Sequence, residues 1–127
     1  MSTGHRCLVL MLGAAFGLGL WAGGCSERTP YPGALNSPRP DERARAAIRA
    51  AETGDRDVIG ILVDRLEDPD EGVRFYAILA LERLTGTRMG YDYRVGWSQR
   101  RRAVQEWRRY LAEQVKVGTG RAGGEGG

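Results

Sequence analysis

The chain has 127 residues, room for one small domain with extensions, and its formal charge of +3 selects no class of partner by itself. Its only histidine is His5 and its two cysteines are Cys7 and Cys25. Beyond residue 25 nothing is left from which to build a Ser-His or Cys-His catalytic pair, a His/Cys zinc site or a stapling disulfide. The 19 glycines gather at the two ends and in one loop, which leaves roughly 75 to 80 residues for an ordered part, small enough that a single core is only marginally stable.

His5 and Arg6 precede an apolar, glycine-rich run from Cys7 to Gly24 that ends in small residues before Cys25. Its borderline length and small-residue end suit a signal peptide better than a membrane span. The end of this run, Ala22-Gly23-Gly24-Cys25, resembles a bacterial lipobox. That resemblance implies a diacylglyceryl thioether on Cys25 and cleavage before it, so residues 1–24 are expected to be a lipoprotein signal peptide. An ordinary cleaved signal and an uncleaved anchor are the alternatives. Two or three acyl chains would hold the protein stably on a membrane, whereas one binds only marginally. By the same resemblance Ser26 favours the outer membrane, and the location expected is the cell membrane or outer membrane, facing periplasm or exterior.

Residues 26–40 hold four of the five prolines and show no apolar periodicity, so 25–39 reads as the lipidated cysteine and a semi-extended tether. A helical domain is expected over 40–117. Its first helix starts at Pro40, with Asp41 and Glu42 on the positive end of the dipole, an apolar stripe of Ala44, Ala47, Ile48 and Ala51, and Gly54 as the stop. A second helix runs from Arg56 to Leu66 behind Asp55 as its cap. Pro69 breaks it, and Asp70 can cap a third. That third helix, Val73 to Leu84, is apolar nearly all round (only Arg74, Glu82 and Arg83 are charged), so it must be covered on more than one side. The acidic turn between the second and third helices lacks the ligand spacing of a calcium loop, and caps and solvated charge account for it.

The run from Leu62 to Gly86 resembles a HEAT-like repeat of the short type also found in phycobilisome lyases, through Leu62, Leu66, Asp68, Asp70, Val73, Arg74, Ala77, Ala80, Leu81 and Leu84. The segment from Arg43 is similar to a worn second helix of a preceding unit, about 30 residues earlier, with Ala47, Ile48 and Ala50 matching Ala77, Ile78 and Ala80. The resemblance implies an all-α fold, a short HEAT-like α-α superhelix used as a scaffold for protein contacts. Only about one and a half repeats are present, and solenoids usually need three or more to close a core.

Thr85 to Trp97 has glycines at 86, 90 and 96 and aromatics at 91, 93 and 97, and reads as an ordered loop folded back on the hairpin. Ser98 can cap a fourth helix from Gln99 to about Val115, with Val104, Trp107, Leu111 and Val115 on one face; it is expected to cover the third helix, with Trp107 as the largest buried side chain. The pattern of Thr85, Gly86, Gly90, Tyr91, Asp92, Arg100, Ala103, Val104, Trp107 and Leu111 resembles a tail following such repeats in lipoproteins of planctomycete-type bacteria. Arg102, Arg109 and Lys116 line up seven apart opposite the apolar face, with Arg102–Glu106 and Arg109–Glu113 as possible ion pairs. Arg100 falls inside the apolar arc and calls for a partner, Asp92 or a carboxylate of another helix. Residues 118–127 read as a flexible tail.

Charge divides along the chain, −4 over residues 41–87 and +6 over 88–121. Exposed arginines with Tyr91, Tyr93 and Trp97 could meet phosphate, headgroups or nucleic acid; an exported lipoprotein rarely meets nucleic acid, so none is expected as a partner. The expectation is a membrane-anchored, non-catalytic HEAT-like protein-interaction module, with Val73, Arg74, Leu81 and Trp107 structural and Arg102, Arg109 and Lys116 as a candidate interaction surface. No cofactor is expected beyond the covalent lipid on Cys25, no metal, and no small-molecule substrate. The alternative is a small structural envelope protein whose arginine-rich helix contacts anionic lipid or surface.

Overall fold

A computed structural model describes residues 28–122, so Cys25 and the apolar run before it lie outside the described residues. A 3-10 helix, Gly33–Asn36, precedes four α-helices: α1 Pro40–Thr53, α2 Ile59–Arg65, α3 Glu71–Thr85 and α4 Trp97–Ala122. Each of the first two units thus pairs a short element with a long one. The short elements meet each other, the 3-10 helix against α2, and the long ones meet each other, α1 along α3, which makes two layers. The core between them includes Leu35, Leu62, Val63, Leu66, Ile78 and Leu81, all fully buried.

The local chemistry of the starts and stops is plain. Pro40 opens α1 with Asp41 and Glu42 in its first turn, and Asp70 accepts the Val73 amide at 2.9 Å at the start of α3. Gly54 and Gly86 end these helices at φ 66° and 81°, left-handed backbone that suits a residue without Cβ. Asp55 does not cap α2. Its carboxylate instead accepts the Asp57 amide and the Tyr31 hydroxyl, and the helix begins three residues later than the pattern of valine and isoleucine suggests.

Three expectations need correction. The tether is not a spacer over its second half: Ala34, Leu35 and Ser37 are buried, and the 3-10 helix packs on α1 and α2. One leucine among prolines fills a gap in the short layer, so the domain begins near Tyr31 and not at residue 40. The stretch from residue 118, expected as a flexible tail, is helical as far as Ala122, because α4 continues through Gly118 and Gly120. Lastly, α4 makes its main helix contact with α2, not α3. The side of α3 away from α1 meets the loop that follows it, where Tyr93 packs edge-on to Phe75 with ring centroids 4.9 Å apart.

Trp107 is fully buried, the largest such side chain among the described residues, with Tyr110 edge-on at 5.9 Å. Val104 and Ala103 are buried beside it on the same helix face, while Val115 and Val117 are 69% and 68% exposed. At 1.5 Å per residue the 26 residues of α4 span about 39 Å, against about 21 Å for the 14 of α1. Its last turns therefore run past the packed part.

Candidate interaction surface

Arginine organises the framework that any surface rests on. Arg43 and Arg74 are each the fourth residue of their helix, and both turn back onto the segment entering it. Arg43 Nη1 donates to the Ser37 and Pro38 carbonyls at 2.8 and 3.1 Å; Arg74 Nη1 donates to the Asp68 and Pro69 carbonyls at 2.8 and 2.9 Å. All four carbonyls precede the helix, and those of the buried Ser37 and Asp68 would otherwise lack a donor. Arg43 also grips Asp68 with two bonds of 2.8 Å, from Nε and Nη2, which ties the first unit to the turn of the second. With the arginines in register, Ala46, Ala47 and Ala50 correspond to Ala77, Ile78 and Leu81, all of them buried. The alignment expected from Ala47, Ile48 and Ala50 is therefore one residue out.

Arg100, again the fourth residue of its helix, takes neither expected partner. Its Nη1 donates to the Val95 carbonyl, the same backward reach, while Asp92 pairs with Arg94 at 3.1 Å. The Arg100 Nε and the Trp107 Nε1 are buried without a hydrogen-bond partner among the described residues.

The basic face of α4 is only partly as expected. Arg102, Arg109 and Lys116 are all exposed, and Glu106 goes to Arg109 at 3.1 Å and not to Arg102. Arg108 reaches across to Glu67 and, at 3.9 Å, to Asp64 of α2. Of the aromatics, Tyr91 is buried and donates its hydroxyl to the Leu66 carbonyl at 2.5 Å, so it belongs to the core. Burial pushes its pKa up to about 12. Trp97 is the exposed one, 51% accessible, with the Arg101 guanidinium 6.0 Å from its ring. Arg102 and Glu106 share an open, polar recess of about 550 Å³ with Met89 and Gln99.

A second surface was not foreseen. Where α1 lies along α3, Ile48 and Ala51 face Tyr76, Leu79 and Ala80 across a groove of about 490 Å³. Glu52, Glu82 and Arg83 rim it, and Glu82 is held by Arg88 at 2.7 Å, a bond that lowers its pKa. No single helix encodes this groove: Ile48 and Leu79 are half-buried only because the alanines of α1 let the two long helices approach. Among the described residues no group of three or more His, Cys, Asp or Glu could hold a metal ion, and no helix is long and apolar enough to cross a membrane.

Two layers of paired helices, each unit entered through an arginine-clasped turn, define a helical repeat. Comparison with protein families gives a match to HEAT repeats over residues 31–90, from Tyr31 to the loop after α3. The protein thus carries a HEAT-like helical repeat domain, and HEAT repeats commonly mediate protein–protein contacts and are generally non-catalytic. Comparison with curated proteins and with solved structures brings no match.

Proposed function

We propose that this protein is a lipid-anchored envelope lipoprotein whose HEAT-like domain binds another protein and catalyses nothing. The observation that carries the binding reading is the apolar groove between α1 and α3, floored by Ala80 and walled by Ile48, Tyr76 and Leu79. A groove of this kind suits an amphipathic helix with anchors at i, i+3, i+4 and i+7. Glu52 on its rim favours a basic residue on the flank of that helix. The anchor reading is supported by Ala22, Gly23 and Gly24 before Cys25 at the end of the apolar run. It places the domain on the cell membrane or outer membrane, facing periplasm or exterior.

The test is site-specific crosslinking in intact envelopes, with a photoreactive residue at position 79 of the full chain. One discrete protein adduct is expected, lost when Ile48→Glu fills the groove with charge, and Cys25→Ser should make the uncleaved precursor accumulate. An adduct unchanged by Ile48→Glu defeats the groove; a mature chain whose mass shows no lipid defeats the anchor.

The second reading, a structural envelope protein that meets anionic lipid or surface through α4, draws support from the exposure of Arg102, Arg109 and Lys116. It takes precedence if position 79 yields no protein adduct and neutralising those three residues releases the domain from anionic vesicles.

A further inference from the structure

Away from α4, three arginines meet at the other end of the domain. Arg28, from the segment entering the 3-10 helix, shares a recess of about 370 Å³ with Arg45 and Arg49 of α1. Arg45 and Arg49 are one turn apart, so their side chains leave the same helix face. Ala34 and Ala46, 7% and 4% exposed, form an apolar floor.

The nearby acids are already engaged. Glu42 also lines the recess but is 5% exposed, and it accepts from Ser37 Oγ at 2.5 Å and from Arg39 Nη2. The Ser37 bond leads in holding its carboxyl below the usual range, with the Thr29 hydroxyl also contributing. Asp41 pairs with Arg45, and Asp55 takes the Tyr31 hydroxyl at 2.5 Å. Neither Arg28 nor Arg49 donates to a carboxylate among the described residues. Two guanidiniums, each a planar fork of donors, are therefore left without a carboxylate partner beside the alanine floor, while Glu42 and Arg45 of the same recess are already paired.

We infer that this recess binds a phosphate mono- or diester. Forked N–H pairs match phosphate oxygens bidentately, and the guanidinium sheds water more readily than an ammonium does. The alanine floor leaves room for the carbon attached to the ester and lowers the local dielectric. The location favours a phospholipid headgroup as the source. Arg28 follows Cys25 by three residues, a span of at most about 10 Å, so a lipid on Cys25 would keep the recess at the headgroup layer. This choice of source rests on the anchor reading above; the phosphate chemistry does not.

The experiment uses the full chain, labelled with nitrogen-15, in nonionic detergent micelles. The Arg28 and Arg49 Nε–H signals are assigned through Arg28→Gln and Arg49→Gln, both at exposed positions. One arm titrates inorganic phosphate against chloride at matched ionic strength. The other titrates phosphatidylglycerol into the micelles. A saturable shift of both signals is expected, with affinity at least about tenfold weaker in each single variant. Saturation by both probes assigns a general phosphate site, and saturation by phosphatidylglycerol alone assigns a headgroup site. Saturation by inorganic phosphate in a chain whose mass shows no lipid keeps the site and removes the headgroup as its source. The inference is overturned by the absence of a saturable shift in both arms, by an unchanged affinity at the remaining signal in both single variants, or by parallel shifts of Arg102 and Arg109, which would mark diffuse attraction.

Discussion

Helices α1 and α3 open with the same device and fill the core in opposite ways. In each, the fourth residue is an arginine whose Nη1 holds two carbonyls of the preceding turn. Behind that shared start, α1 presents Ala46, Ala47 and Ala50 where α3 presents Ala77, Ile78 and Leu81. The alanines bury little area but bring the backbones close; the isoleucine and leucine supply the burial. One helix sets the spacing and the other fills it. A further asymmetry lies in charge: Arg43 has a buried carboxylate, Asp68, whose side chain is 1% exposed, while the acid nearest Arg74 is Glu71 at 3.8 Å, 65% exposed.

That asymmetry is the strongest place to break the likeness. Arg43→Met leaves Asp68 buried with only Arg65, at 3.5 Å, as a cation nearby. Removing one partner of a buried pair costs about 3–5 kcal/mol. Arg74→Met forfeits hydrogen bonds to neutral carbonyls and a weak exposed pair, about 1–3 kcal/mol. Urea unfolding of the two variants should therefore rank Arg43→Met as clearly the less stable. Equal midpoints would mean that carbonyl capping, not the ion pair, is what both arginines contribute.

The spacing role is tested by making α1 resemble α3. Ala47→Ile places at a fully buried position the residue that occupies the corresponding site of α3. Overpacking should cost about 1–3 kcal/mol and widen the groove walled by Ile48 and Leu79. The measurement is a fall in thermal midpoint, accompanied by weaker crosslinking from position 79. A gain in stability would show that α1 and α3 have room between them and that alanine is not there for close approach.

How far such features could be read in the chain depends on whether their cause is local. The apolar run and Asp70 mark α3 unaided, and Pro40 and Gly54 bracket α1, because a cap or a stop acts within a few residues. Leu35 is the opposite case: one apolar residue among prolines carries no period, and only the gap beside α2 makes it core. Arg100 looked like a buried charge in search of an acid, since periodicity cannot show that its guanidinium reaches back to a carbonyl. Trp107 was legible as a buried side chain but not its host, because α2 and α3 are equally apolar in sequence. Glycines 118 and 120 suggested a frayed tail, yet propensity is a weak guide to where a helix already nucleated by its packed first turns will stop. The α1–α3 groove and the arginine recess both join residues from separate segments, so neither has a signature in any one stretch.

The smallest expected effect concerns the two tyrosines that bracket the pair of units. Tyr31, before α1, donates to the carboxylate of Asp55, and Tyr91, after α3, donates to the neutral Leu66 carbonyl, both at 2.5 Å. Each phenol is pushed up to about 12, Tyr31 by burial and then by the Asp55 bond, Tyr91 by burial. A raised pKa means that the folded state keeps a proton the unfolded chain has released. Between pH 10 and about 12 stability must therefore fall as pH rises, and below pH 10 the shift has no effect. For Tyr91 the fall amounts to at most about 2.7 kcal/mol across that window. Tyr91→Phe should cost only about 1 kcal/mol at neutral pH, the net worth of one hydrogen bond, and should flatten the alkaline fall seen in urea unfolding from about pH 9 to about pH 11.5. Tyr31→Phe should flatten it too, but with a different neutral-pH cost, because the partner it abandons is charged. If Tyr91→Phe leaves the alkaline limb as steep as before, Tyr91 ionises freely in the folded chain, and the loop after α3 is held by Tyr93 on Phe75 instead.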